Sequence, residues 1–167
     1  MNRRNEVAKS AGPDAETRVS AMLEGLRSAG LRLTPQRVAV VQELAADESH
    51  PTAQELFERL RPALSTMSFA TVYNTLDTLQ KARLCMSLSL SPGSGRFDPN
   101  VAPHDHVVCD SCGAVRDLFP DTRASAARAE RGKALSMAAP GFQVRAVEQV
   151  VRGLCETCKP RRTTRAS

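Results

Sequence analysis

Two Cys-x-x-Cys pairs constrain this chain more than any other feature. Cys109 and Cys112 form the first and Cys155 and Cys158 the second, with 42 residues between the pairs. Four thiolates in two knuckles supply the tetrahedral ligand set of a structural zinc ion. The gap is longer than a zinc finger allows and holds a predicted helix and strand, so the ion would clip the two ends of a small α/β domain. Free thiols or a redox pair are the competing readings. Ligand number and spacing favour zinc. Cys85 stands alone in an alternating stretch and reads as a small buried hydrophobe.

The 167 residues suffice for one ordinary domain or two small ones. No run of 18 apolar residues occurs, so no segment is expected to span a membrane. The first 20 residues are polar and lack the apolar core of a signal peptide, which places the protein in the cytoplasm, where thiols stay reduced. The net charge of +5 argues weakly for nucleic acid. Residues 1–92 carry 11 Lys/Arg against 10 Asp/Glu, and most of the excess lies beyond them, much of it in a basic tail at 161–167. Overall charge is therefore compatible with DNA binding without indicating it.

Residues 1–16 are polar and aperiodic and read as a mobile arm. Val19, Met22, Leu23 and Leu26 have helical spacing and stop at Gly30. Thr34-Pro35 starts a second helix with Val38, Val41 and Leu44 on its buried face. Thr52 with Glu55 fits a capping box for a third, carrying Leu56, Phe57 and Leu60 and ending near Pro62. Ser68 caps a fourth, with Val72, Leu76 and Leu79 on one stripe. The opposite face holds Thr71, Tyr73, Asn74, Thr75 and Thr78, whose hydroxyls and amide can bond phosphates and base edges. A solvated helix face explains them equally well.

After Arg83 the period shifts to two, with Leu84, Met86, Leu88 and Leu90 alternating with Cys85, Ser87 and Ser89. Ser91-Pro92-Gly93-Ser94-Gly95 is a turn, and Arg96-Phe97-Asp98 returns. Short helices followed by a β-hairpin describe a winged helix-turn-helix domain, assigned to residues 17–98. Residues 99–105, with Pro99 and Pro103, read as a hinge. Residues 106–160 form the second domain: short strands around the first cysteine turn, an Ala- and Arg-rich helix over 122–138 stopped by Pro140-Gly141, and a longer strand over 142–154. The expected class is α+β.

His104 and His106, two apart, point to one face of a strand. His50 stands beside Pro51 in the first domain, and Asp98 and Asp117 flank the histidine pair. Taken singly, each has an ordinary structural explanation.

Five motifs taken together resemble the ferric uptake regulator family of bacterial metal-dependent repressors. They are Leu33-Thr34-Pro35-Gln36-Arg37, His50-Pro51-Thr52-Ala53, Ala70-Thr71-Val72-Tyr73-Asn74-Thr75-Leu76, Arg96-Phe97-Asp98 and His104-Asp105-His106-Val107-Val108-Cys109-Asp110-Ser111-Cys112-Gly113, in order within residues 17–160. The resemblance implies an N-terminal winged helix that binds a palindromic operator on double-stranded DNA. It also implies a C-terminal α/β domain that forms a homodimer supported by Zn²⁺ on Cys109, Cys112, Cys155 and Cys158.

A second, regulatory metal at the hinge is implied on His50, Asp98, His104, His106 and Asp117. This nitrogen and oxygen set suits Fe²⁺ or Mn²⁺. The chain is most similar to the peroxide-sensing branch, where the position of Asp117 is usually Asp rather than Glu. That branch implies iron-catalysed oxidation of His50 or His104, loss of metal and release from DNA, with Mn²⁺ giving an insensitive repressor. Thr71, Tyr73 and Asn74 match the DNA-facing positions. Asp77 stands where a basic residue is frequent, and Arg83 replaces a frequent Gly, so the cap there is expected to differ. An iron- or manganese-responsive repressor without peroxide sensing is the alternative. A small metalloenzyme carries less weight, because five ligands leave at most one open position and no separate general base is apparent.

Overall fold

The computed structural model describes residues 13–89, 95–119, 122–144 and 147–160. The expected arm up to residue 12, most of the hairpin turn at 91–95, and the basic tail at 161–167 lie outside the described residues. The rest divide into two units, with the boundary between Ala102 and Pro103.

The first unit has four helices and a hairpin: α1 (Ala15–Ser28), α2 (Pro35–Ala46), α3 (Ala53–Leu60), α4 (Phe69–Lys81), β1 (Met86–Leu88) and β2 (Arg96–Asp98). Local chemistry starts each helix. The side chains of Asp14, Thr34, Thr52 and Ser68 each accept a hydrogen bond from the backbone N–H three residues on. At α3 the Glu55 carboxylate also accepts from the Thr52 N–H at 2.7 Å, completing the capping box. Helix α1 begins at Ala15, inside the stretch read as an arm.

Two helices end alike. Past α1, the Leu31 N–H reaches back to the Leu26 carbonyl and the Gly30 N–H to Arg27, with Gly30 at φ 76°. Past α4, Leu84 bonds Leu79 and Arg83 bonds Gln80, with Arg83 at φ 58°. The expectation that Arg83 changes this cap is corrected. The left-handed cap forms regardless, and a residue with a Cβ bears its strain.

Met22, Leu26, Val40, Val41, Leu44, Leu56, Val72, Leu76 and Leu79 build the core of this unit, closed by Cys85 and Phe97. On α2 the buried stripe runs through Val40, Val41, Leu44 and Ala45, and Val38 is only half-buried, a shift of helical phase from the expected face. Thr75 is also corrected. Expected on the polar face of α4, it is fully buried, because its hydroxyl donates to the Thr71 carbonyl at 2.7 Å and needs no solvent. In the hairpin, β1 pairs antiparallel with β2, with Met86 opposite Asp98. Cys85 precedes the strand, and burial falls on Cys85 and Leu88 instead of alternating.

The second unit contains β3 (Asp105–Cys109), β4 (Val115–Leu118), α5 (Thr122–Ala138) and β5 (Val150–Gly153). Strand β3 is central, antiparallel to β4 and parallel to β5. Helix α5 occupies the expected span. Of the long strand expected over 142–154, the described residues form only the four of β5. Its ladder partners on β3 run from His106 to Cys109, and just before it the Gln149 N–H bonds the Asp105 side chain instead of continuing the ladder. The fold is α+β, a winged helix followed by a small α/β unit. Among the described residues, no helix is long and apolar enough to cross a membrane.

Candidate metal centres

Four cysteines converge within the second unit. The first pair lies on a tight turn after β3: the Cys109 N–H bonds the Ala114 carbonyl at 2.9 Å, and Gly113, at φ 71°, returns its N–H to Cys109. The parallel register sets Gly153 beside Cys109, which brings the second pair alongside, and the Cys155 N–H points at the Cys109 sulfur at 3.4 Å. One sulfur from each of Cys109, Cys112, Cys155 and Cys158 lies within 4.8 Å of the others. Backbone N–H groups of Cys112 and Cys155 hold the Cys109 thiol down to about 6. At Cys158 the Ser111 hydroxyl lowers the value, but the crowded sulfurs of Cys155 and Cys112 outweigh it and push the thiol up to about 11. Thiolates this close cannot all ionise without a cation among them. The cluster fits Zn²⁺.

The histidines and carboxylates divide between the units. In the first, His50 and Asp98 are both 1% exposed, and the imidazole Nε2 lies 3.7 Å from the Asp98 carboxylate. His50 takes φ 58°, a left-handed conformation that costs a residue with a Cβ about 1 kcal/mol or more. Its surroundings are tied to β2. The Pro51 carbonyl accepts from the Phe97 N–H at 2.9 Å, Thr52 bridges to Arg96, and the Arg96 guanidinium donates to the His50 carbonyl at 2.9 Å.

In the second unit, His104 and His106 are buried with ring centroids 4.4 Å apart. The β3–β4 register sets Asp117 directly opposite His106, and a carboxylate oxygen of Asp117 lies 3.3 Å from His104 Nε2 and 3.9 Å from His106 Nε2. Phe119 stacks on His104 at 5.5 Å. Each unit thus presents buried imidazole beside carboxylate, with no thiol among them, a donor set that fits Fe²⁺ or Mn²⁺.

Two residues near these groups had no assigned role from sequence. In the sequence, Arg96 stands in a strand and in one of the five motifs, with no part assigned in either metal site. Asp105, between the two histidines, pairs with Arg128 of α5 and accepts from the Gln149 N–H at 2.8 Å, so it ties the histidine strand to α5 and the approach to β5. Strand alternation, which puts Asp105 on the face opposite His106, was the available signal.

On α4, Tyr73 is 54% exposed and Asn74 is exposed. Tyr73 lies against Phe69 at 6.4 Å rather than packing between helices. Thr71 is half-buried and shares a 2.8 Å hydrogen bond with the Ser68 hydroxyl, while Asp77 pairs with Lys81 at 2.7 Å.

A winged helix in one chain with a cysteine-clustered α/β unit and buried imidazole–carboxylate sets defines a DNA-binding regulator that carries metals. The model of the ferric uptake regulator family matches residues 28–138. The peroxide-responsive repressor of Staphylococcus epidermidis is 33% identical over 138 residues, 82% of this chain and 87% of its own. Among solved structures, the Helicobacter pylori ferric uptake regulator has the same fold, with a TM-score of 0.66 at 21% identity over 87% of this chain and 94% of its own. The ferric uptake regulator of Pseudomonas aeruginosa with manganese aligns with a TM-score of 0.61 at 26% identity over 81% of this chain and 98% of its own. The chain belongs to the ferric uptake regulator family.

Proposed function

We propose that this protein is a cytoplasmic, homodimeric transcriptional repressor that senses hydrogen peroxide through a metal bridging its two units. The observation that carries the reading is the pair of buried imidazole–carboxylate groups, His50 with Asp98 and His104 and His106 with Asp117. In this reading all five bind one Fe²⁺ or Mn²⁺, while Cys109, Cys112, Cys155 and Cys158 hold Zn²⁺ and support the dimer. The similarity to a peroxide-responsive repressor supports it.

The physical logic is a population shift. His50 and Asp98 belong to the winged helix, and the other three ligands do not. When all five share one ion, the winged helices of a dimer keep a spacing that fits the half-sites of a palindromic operator. The ion favours that state only by its differential affinity for it. On α4, Tyr73 and Asn74, with Thr71 beside them, enter the major groove. An Fe²⁺ ion held there would activate peroxide by lending one electron and regaining it, with no net change in the iron. His50 or His104 then gains one oxygen at its imidazole ring as peroxide leaves as one water. The oxidised ring is a poorer ligand, the bridge opens and the operator is released.

The test loads the zinc-containing protein with Fe²⁺ or Mn²⁺, measures binding to a palindromic promoter fragment, adds hydrogen peroxide and maps oxidation by peptide mass spectrometry. The expected result is release of DNA by the Fe²⁺ form alone, with one added oxygen on His50 or His104. An Fe²⁺ form that keeps its DNA and unmodified histidines leaves a metal-responsive repressor without peroxide sensing. A normal metal response in His50→Ala rejects the bridge.

A further inference from the structure

His50 is the metal-ligand candidate with the least comfortable backbone. A left-handed residue before a proline has few ways to be held, because Pro51 has no N–H to donate into the turn. What holds it comes from 46 positions away. Arg96 Nη1 donates to the His50 carbonyl at 2.9 Å and lies 3.4 Å from a Glu55 carboxylate oxygen. That same oxygen accepts the Thr52 N–H at 2.7 Å in the α3 cap. One guanidinium therefore ties the His50 carbonyl to the cap that starts two residues later.

Arg96 also sits two residues before Asp98 on β2, on the same face of the strand. The Phe97 N–H to Pro51 carbonyl bond between them holds β2 against the His50–Pro51 turn. The Arg96 side chain is 22% exposed and offers a rigid planar fork. A positive charge this close does not favour capture of a metal cation, so its part is geometric.

We propose that Arg96 is the positioning residue of the metal switch. It holds the left-handed turn at His50 so that the imidazole faces the Asp98 carboxylate before any metal arrives. The inference rests on the reading above that His50 and Asp98 are ligands. Outer residues that orient metal ligands contribute on the order of 10-fold to 100-fold in affinity.

The experiment measures the Mn²⁺ dissociation constant of the full-length, zinc-loaded protein by electron paramagnetic resonance of free Mn²⁺. Arg96→Met, Arg96→Lys, His50→Ala and the double variant His50→Ala/Arg96→Met are compared. Zinc content and the melting of the Mn²⁺-free protein report folding. Arg96→Met is expected to weaken Mn²⁺ binding by about tenfold or more, with Arg96→Lys intermediate. In the His50→Ala background, Arg96→Met should add nothing, which a merely structural role would not produce. Arg96→Met binding Mn²⁺ like the wild type, or costing as much without His50 as with it, overturns the proposal. If Arg96→Met does not fold, Arg96→Lys decides, and a wild-type affinity there overturns it. If His50→Ala binds Mn²⁺ like the wild type, the metal-bridge reading fails and takes this proposal with it.

Discussion

The Sγ atoms of Cys112 and Cys155 lie 3.7 Å apart although 43 positions separate them in the chain. A disulfide requires about 2.05 Å. A tetrahedron with metal–sulfur bonds of about 2.3 Å has an edge of about 3.8 Å. The separation is therefore that of two corners of one coordination sphere. Cys155→Ser is expected to lose zinc and to destabilise the second unit by on the order of 5 kcal/mol. Native mass spectrometry counts the metal and calorimetry reads the stability. A variant that keeps its zinc and its melting temperature shows that the cluster is not the staple.

The cap after α4 makes a second expectation. Arg83 occupies at φ 58° the position that Gly30 occupies after α1. The left-handed conformation costs a residue with a Cβ about 1 kcal/mol, and glycine returns part of that gain through its freer unfolded chain. Arg83→Gly should therefore stabilise the protein by roughly 0.5 kcal/mol. Urea unfolding measures this, and a loss of stability would mean that the Arg83 side chain contributes more than its backbone costs.

What could be read from the sequence was what is decided locally. Thr34-Pro35, Thr52 with Glu55, and Ser68 start their helices through bonds spanning three residues, and all three positions were legible. The cysteine spacing was legible because a tetrahedral ion asks for little beyond four sulfurs. The left-handed turn at His50 was hidden, because the Arg96 guanidinium and the β2 strand that brace it lie 46 residues away. The burial of Thr75 is not legible, because a hydroxyl can satisfy itself on its own helix and its polarity then says nothing about its face. The last strand is shorter than its β-branched residues suggest, because residue preference alone does not decide where pairing with β3 stops.

With Thr75 removed from the polar face, Asn74 and Tyr73 remain as the exposed polar side chains at the centre of α4. An asparagine amide can bond an adenine edge through two contacts, together contributing about 1–3 kcal/mol of discrimination. Asn74→Ala should weaken operator binding by that amount and leave Mn²⁺ affinity unchanged. Fluorescence anisotropy on a labelled operator and on a scrambled duplex separates a base contact from a phosphate contact, since only the first loses specificity.

Cys85 is expected to be chemically silent. It is 2% exposed, and burial, with the nearby Asp98 charge, pushes its thiol up to about 12. The thiolate is the reactive form, so at pH 8 almost none is present. Iodoacetamide followed by peptide mapping should leave Cys85 unmodified in the folded protein and label it once denaturant unfolds the first unit. Labelling under native conditions would mean that the Leu76–Cys85 region opens locally.

The pH dependence of the first unit should show one carboxylate clearly. At Asp47, burial raises the pKa, but hydrogen bonds from Ser49 and the Arg59 guanidinium outweigh it and leave the value below its ordinary 3.8. A depressed folded value means that the unfolded chain binds the proton more readily. The contribution to stability is therefore complete above pH 3.8 and is lost as pH falls through the lowered value. Because Arg59 is 43% exposed, solvent screening limits the contribution to about 1 kcal/mol. Asp47→Asn should be less stable than the wild type by about that amount at pH 7, less so in high salt, with the two converging in strong acid. A difference between them that stays constant with pH would place the effect in the lost packing of the side chain and not in its charge.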